Sequence, residues 1–120
     1  MPGLGYRLQR LADQMREEIA VMITTELKDP RIGLATVTRV ELSGDLRHAR
    51  VLVSALGDEA AGKKTLEGLS SAAGYLRGEL GRRLRVRRAP ELVFILDHGA
   101  EEAQKIEELL EKLKPPPSDE

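Results

Sequence analysis

Apolar side chains recur at steps of three and four near the amino terminus, at Leu8, Leu11, Met15, Ile19, Met22 and Ile23, with Arg7, Arg10, Gln14, Glu17 and Glu18 between them. The spacing predicts a long amphipathic helix reaching Leu27, one stripe facing a core and the rest facing water. Lys28-Asp29-Pro30-Arg31 ends it, because Pro30 has no N–H to give a helix and pushes Asp29 toward extended geometry. From Leu34 to Leu42 Thr and Val dominate, and Ser43-Gly44-Asp45 supplies a turn. Ala49, Val51, Val53 and Ala55 then alternate with Arg50, Leu52 and Ser54. These runs predict a two-stranded hairpin. In its first strand the apolar phase slips, with Val37 on one parity and Val40 and Leu42 on the other, so a bulge is expected near Arg39.

After Gly57-Asp58-Glu59, a three-or-four spacing returns at Leu66, Leu69, Ala73, Leu76, Leu80 and Leu84. Gly74, Gly78 and Gly81 interrupt it, each costing roughly 1 kcal/mol relative to Ala inside a helix, so a kink or a pair of helices is expected. Ala89-Pro90 stops this segment, Leu92 to Leu96 is an apolar run that predicts a buried strand, and Asp97-His98-Gly99 turns out of it. Ala103, Ile106, Leu109, Leu110 and Leu113 mark a last amphipathic helix, ended by Pro115-Pro116-Pro117. That strip is too apolar to sit free in water and is expected to dock across the first helix, bringing acid near the arginines. The organisation predicted is an α+β domain over 1–99, a carboxy-terminal helix over 100–114 and a disordered tail over 115–120.

A chain of 120 residues is the size of one domain, and 41% hydrophobic with 32% charged residues is globular. Without Cys there are no disulfides, thiolate metal sites or thiol nucleophiles, and no apolar run resembles a signal peptide or a membrane span. A cytoplasmic protein with no membrane partner is expected. The formal net charge of −1 hides a segregation: of 19 basic and 20 acidic residues, eight basic but two acidic ones fall between Lys63 and Arg88. Much of the acid lies after Ala100.

Arg82, Arg83, Arg85, Arg87 and Arg88 follow one another with no acid among them, and guanidinium groups suit phosphate oxygens. The competing reading is a solvated face paired with the acidic carboxy-terminal helix. With one Phe, two Tyr and no Trp there is no platform for stacking bases, so an RNA partner would be held by phosphates, shape and 2′-hydroxyls. His48 and His98 fall in separate turns, where they read as turn or capping residues rather than general bases. Asp29, Asp45 and Asp97 sit where turns favour Asp. No nucleophile, P-loop or metal spacing occurs, so no catalytic residue, metal or cofactor is expected. A protein–protein adaptor using the acidic helix is the alternative from another class.

The order helix, strand, strand, kinked helix pair, strand is that of a type II KH domain. Particular stretches resemble the ribosome-binding factor A family: Lys28-Asp29-Pro30-Arg31, Val37-Thr38-Arg39-Val40, Ser43-Gly44-Asp45-Leu46, Ala49-Arg50-Val51 and Val53-Ser54. The resemblance continues in Ala72-Ala73-Gly74-Tyr75-Leu76-Arg77, Leu84-Arg85-Val86-Arg87, Pro90-Glu91-Leu92, Phe94 and Asp97. It implies a KH-like fold whose usual GxxG loop is replaced by an interhelical kink, here at Ala72, Ala73 and Gly74. A literal GxxG also stands at Gly78-Glu79-Leu80-Gly81, but its interior holds an acid and a Leu in helical phase with Leu76 and Leu84. The resemblance further implies a monomeric, non-enzymatic assembly factor that binds the free small (30S) ribosomal subunit and its 16S rRNA. Late maturation including 5′ end processing, cold adaptation and a link to a biogenesis GTPase go with it. The RNA-binding residues expected are Arg7, Arg10, Lys63, Lys64, Arg77, Arg82, Arg83, Arg85, Arg87 and Arg88, with Gly74 expected to hold a backbone geometry closed to bulky residues.

Overall fold

A computed structural model describes residues 2–97 and 108–113. Six elements follow in the order α1 (Pro2–Thr25), β1 (Ala35–Leu42), β2 (His48–Ala55), α2 (Glu59–Ser71), α3 (Ala73–Leu84) and β3 (Glu91–Leu96). This is the α+β order read from the sequence. Among the described residues no helix is long and apolar enough to cross a membrane.

The stripe of α1 lies in the core, with Ala12, Met15, Ile19, Met22 and Ile23 buried. The helix stops just short of Leu27, at Thr25. Past it, the Asp29 carboxylate accepts from the Arg31 N–H at 2.9 Å and pairs with its guanidinium at 2.6 Å, a turn built by an aspartate. The hydrogen bonds from Arg31 hold the Asp29 carboxyl below the usual carboxylate range. Arg31 also donates to the Ser71 hydroxyl at 3.1 Å, tying this turn to the end of α2.

The sheet has the order β1-β2-β3, with β1 and β2 antiparallel and β2 and β3 parallel. Its rows sort the side chains by face. Leu42, Ala49 and Leu92 form one inward row, Val40, Val51 and Phe94 a second, and Val37, Val53 and Leu96 a third. Outward rows are Glu41, Arg50 and Val93, then Arg39, Leu52 and Ile95. The register shifts between Val37 and Arg39, so Thr38 is the extra residue of a bulge. That shift puts Val37 and Val40 on the same buried side despite their opposite parity, as the slipped phase predicted. All three helices pack on the inward face. The expectation that β3 is a buried strand is therefore corrected: Leu92 and Phe94 are buried, but Val93, on the outer face, is 43% exposed. On the same outer face Leu52 is 7% exposed and Ile95 is half-buried, so the face is partly covered and not fully buried.

At the start of α2 the Asp58 side chain caps the helix, accepting from the Ala61 N–H at 2.8 Å. A Cβ added to Gly68 would stand 2.5 Å from Ile32 Cγ1, so only glycine lets the loop after α1 rest on this helix. The helix breaks at Ala72, which closes α2 and opens α3 with φ −89° and ψ −2°. Its N–H is shared between the carbonyls of Gly68 and Leu69 at 3.1 Å, and its carbonyl accepts from Leu76 at 2.9 Å. Gly74 does not have the special geometry expected of it. It lies within α3, a Cβ there would meet nothing within 4 Å, and Gly57 is the described glycine with positive φ. Gly78 and Gly81 are also interior to α3, so the literal GxxG is helix and not loop.

Most of the expected carboxy-terminal helix and the whole tail, with His98, lie outside the described residues. Residues 108–113 are helical, and Leu109, Leu110 and Leu113 are 55%, 60% and 70% exposed, not docked on α1. The stripe of α1 is already occupied by the core, and Val21 is the large apolar side chain that this helix leaves exposed among the described residues.

Candidate nucleic-acid interface

Three glycines of α3, Gly74, Gly78 and Gly81, are four and three residues apart and so share one face of the helix. Added Cβ atoms at Gly74 and Gly78 would meet nothing within 4 Å, and one at Gly81 would stand 3.5 Å from the Val86 carbonyl oxygen. The backbone of α3 is therefore bare along this side. Beyond Leu84 the helix closes with the Val86 N–H donating to the Gly81 carbonyl at 3.0 Å and the Arg85 N–H to Arg82 at 3.2 Å. This pair of bonds is a Schellman motif, whose left-handed residue is ordinarily Gly. Here it is Arg85, with φ 56°.

The motif swings Arg87 and Arg88 back beside the glycines. Gly74, Arg77, Gly78, Arg82, Arg87 and Arg88 are among the residues lining an open groove of about 620 Å³. A second hollow of about 500 Å³ shares Arg77, Arg88 and Ala89 and extends the groove to Arg47 in the β1–β2 turn and His48 at the start of β2. Two hydrogen bonds hold this end together: the Arg77 side-chain Nε donates to the Ala89 carbonyl at 2.9 Å, and the Glu91 backbone N–H donates to the Arg47 carbonyl at 2.8 Å.

The charges in the groove are largely uncompensated. Among the described residues Arg47, Arg85, Arg87 and Arg88 have no ion-pair partner. Arg82 meets Glu79 at 3.3 Å on an exposed surface, where such a pair contributes little. Acid appears on the hairpin rim. Asp45 is held below the usual carboxylate range by the Ser43 hydroxyl at 2.6 Å and then by the Arg47 N–H at 3.0 Å. Glu91 lies 4.0 Å from His48 Nε2. No Phe, Tyr or Trp lines either hollow and His48 is the one ring there, so the surface offers chiefly phosphate contacts and a close approach to bare peptide, not a base-stacking platform.

The ten candidate residues do not all converge here. Arg77, Arg82, Arg87 and Arg88 line the groove, and Arg85, the exposed residue that closes α3, does not. Arg83 faces the other way: its guanidinium meets Glu18 at 3.2 Å, Glu79 at 3.9 Å and Glu26. Glu18 foremost, with Glu26 and Glu79, raises its pKa further, and the Tyr75 hydroxyl donates to Glu26 at 2.6 Å in the same cluster. Arg83 therefore joins α1 to α3. Arg7 and Arg10 lie on the exposed side of α1, whose first half runs along Arg39 to Leu42. Lys63 and Lys64 are exposed at the start of α2, close to Leu96 at the carboxyl end of β3. Arg87 and Arg88 precede the other end of that strand, roughly 20 Å away at the rise of an extended chain. Sequence reasoning missed Arg47 and the glycine face. The glycine spacing was its signal, since breaks in a helix need not recur on one side.

A mixed three-stranded sheet, helices on one face and a broken helix pair between its parallel strands make this a type II KH-like domain. The profile of the family "Ribosome-binding factor A" matches residues 7–110. Ribosome-binding factor A of Caldanaerobacter subterraneus subsp. tengcongensis is 46% identical over 114 residues, covering 94% of this chain and 93% of the relative. That of Halothermothrix orenii is 48% identical over 108 residues, covering 90% and 88%. The crystal structure of ribosome-binding factor A from Thermus thermophilus is similar with a TM-score of 0.67 and 37% identity, over 74% of this chain and 93% of that one. Coordinates of the Thermus thermophilus factor fitted into a cryo-EM map of a 30S complex are similar with a TM-score of 0.65 and 36% identity, over 77% and 97%. The chain belongs to the ribosome-binding factor A family.

Proposed function

We propose that this chain binds the free small (30S) ribosomal subunit, with 16S rRNA backbone lying in the groove along the glycine face of α3, and that it assists late maturation of that rRNA. The observation that carries the reading is that Arg87 and Arg88, which have no ion-pair partner among the described residues, converge with Arg77 on bare helix backbone, with Arg47 in the adjoining hollow. The Thermus thermophilus relative seen with a 30S subunit supports the choice of partner. Phosphate contacts alone carry no sequence information, so specificity has to come from the folded shape of the rRNA and its protein neighbours. In this reading the chain acts as a cytoplasmic monomer without a catalytic centre or cofactor. It works beside a biogenesis GTPase and matters most in the cold, where misfolded rRNA is slow to rearrange.

The test is cosedimentation of Arg87→Glu/Arg88→Glu with 30S subunits at several salt concentrations. Binding should be lost while the far-UV spectrum and the melting temperature stay those of wild type. For Arg87→Ala/Arg88→Ala the slope of log affinity against log salt should shrink by roughly two, about one per lost phosphate contact. Unchanged binding by a folded double Glu variant refutes the site.

A further inference from the structure

We propose that the second hollow, beside the groove, is a pocket for one unpaired guanine of the RNA, an inference that rests on the reading that phosphates lie along α3. The two spaces differ in what they accept. No acid lines the groove, whereas Asp45 and Glu91 line the hollow, where a carboxylate repels phosphate. Arg77, Arg88 and Ala89 line both, so a strand whose backbone follows the arginines brings its next nucleoside over the hollow. At about 500 Å³ the hollow has the room that a small ligand needs.

Its lining is apolar at a position where an apolar residue is costly. Leu46 lines the hollow, is 43% exposed and has φ 62°. That left-handed geometry in a hairpin loop ordinarily falls to Gly or Asn. Among the described residues the other non-Gly residue with positive φ is Arg85, next in the chain to Val86 of the groove's lining. Strain of this kind gathers where a ligand is held. With Ala89 and the His48 ring, Leu46 offers the face of a single base an apolar contact for which a phosphate has no use.

The polar group left over selects the base. Asp45 is built into the turn, its Oδ1 accepting from the Ser43 hydroxyl at 2.6 Å and the Arg47 N–H at 3.0 Å. The Glu91 side chain is 64% exposed and has no hydrogen bond among the described residues, since His48 Nε2 at 4.0 Å is too distant for one. A carboxylate only accepts, and it does so on two oxygens side by side. Guanine carries two adjacent donors on its Watson–Crick edge, N1–H and the N2 amine, and satisfies both. Uracil offers a single N–H between two carbonyls, and adenine and cytosine an amine beside a bare ring nitrogen. Each of these leaves one carboxylate oxygen facing an acceptor.

The probes are oligouridine and the same strand with one central uridine replaced by guanosine or by inosine, which lacks the N2 amine. Fluorescence anisotropy with the full-length protein should show the guanosine strand bound roughly tenfold more tightly than oligouridine, with the inosine strand between them. In Glu91→Gln, whose amide accepts on one atom only, the three affinities should converge. Leu46→Gly should melt at a higher temperature than wild type, through relief of its backbone, and yet bind the guanosine strand several-fold more weakly. Equal affinity of wild type for all three strands, a guanosine preference that survives in Glu91→Gln, or binding of none of them overturns the pocket. The groove is judged separately: Arg87→Ala/Arg88→Ala should weaken all three strands alike and shrink the salt slope while keeping the preference.

Discussion

Replacing Gly68 with Ala should destabilise the domain although Ala is the better helix former. The new methyl would stand 2.5 Å from Ile32 Cγ1, 3.2 Å from Ile32 Cδ1 and 3.4 Å from Arg31 Cβ. Carbon atoms settle about 3.5–4.0 Å apart, so the loop must retreat by on the order of 1 Å. Arg31 is held by Asp29 and Ser71, which leaves the loop little freedom to do so. Overpacking of this kind costs about 1–3 kcal/mol, against a gain of about 1 kcal/mol in helix propensity. With a contact as short as 2.5 Å the cost lies in the upper part of that range, about 2–3 kcal/mol, so a net loss of about 1–2 kcal/mol follows, or a melting temperature lower by roughly 8 °C in a domain this size. Gly78→Ala is the control, since its methyl enters open space and should add about 1 kcal/mol. Urea denaturation of both variants and wild type, monitored by far-UV circular dichroism, should separate the variant midpoints by roughly 2 M. A Gly68→Ala protein as stable as wild type would mean that loop and helix do not touch in the manner described.

Arg83→Gln should lower the urea midpoint, and Arg83→Glu lower it further by adding a carboxylate to Glu18, Glu26 and Glu79, while Arg83→Gln keeps wild-type cosedimentation with 30S subunits. Loss of binding by a folded Arg83→Gln would return Arg83 to the interface. Arg85→Gly should raise stability by about 1 kcal/mol by relieving a left-handed residue, yet weaken 30S binding and shrink its salt slope by roughly one. Unaltered affinity would make Arg85 a structural residue. Asp29 and Asp45 ionise below the ordinary 3.8 in the folded chain, so the stability they confer is complete above that pH and is lost as pH falls through their lowered values. Asp45→Asn should accordingly flatten the acid limb of a plot of melting temperature against pH.

Periodicity sufficed for the helices and strands because each buries one side, and a slipped parity at Val37 and Val40 was enough to locate the bulge. The interhelical break was legible at Ala72, though its cause was misassigned. Gly74 looked like the residue that bends the chain, whereas the backbone turns at Ala72 and the glycine demanded by sterics is Gly68, in the helix before. Which glycine touches something is a tertiary fact with no local trace. The arginines posed the same difficulty. Arg82 and Arg83 are neighbours in sequence but lie about 100° apart around a helix, so one reaches the groove and the other the carboxylates of α1. Arg47 stayed hidden because it joins the site only through β2 and β3 pairing side by side. The apolar run of β3 misled for a related reason, since composition fixes what a strand could bury and not what is there to cover it.

The bond from Arg77 Nε to the Ala89 carbonyl changes how the groove takes up an anion. A free arginine gives up much of its rotamer entropy when it grips a phosphate, about 0.5–1.5 kcal/mol for a long side chain ordered at an interface. Arg77 has surrendered that freedom already during folding, so its guanidinium is aimed before any ligand arrives. Arg87 and Arg88 have no such anchor and must be ordered on contact. The groove thus couples one rigid cation to two adaptable ones, the first setting where a strand lies and the others following its irregular path.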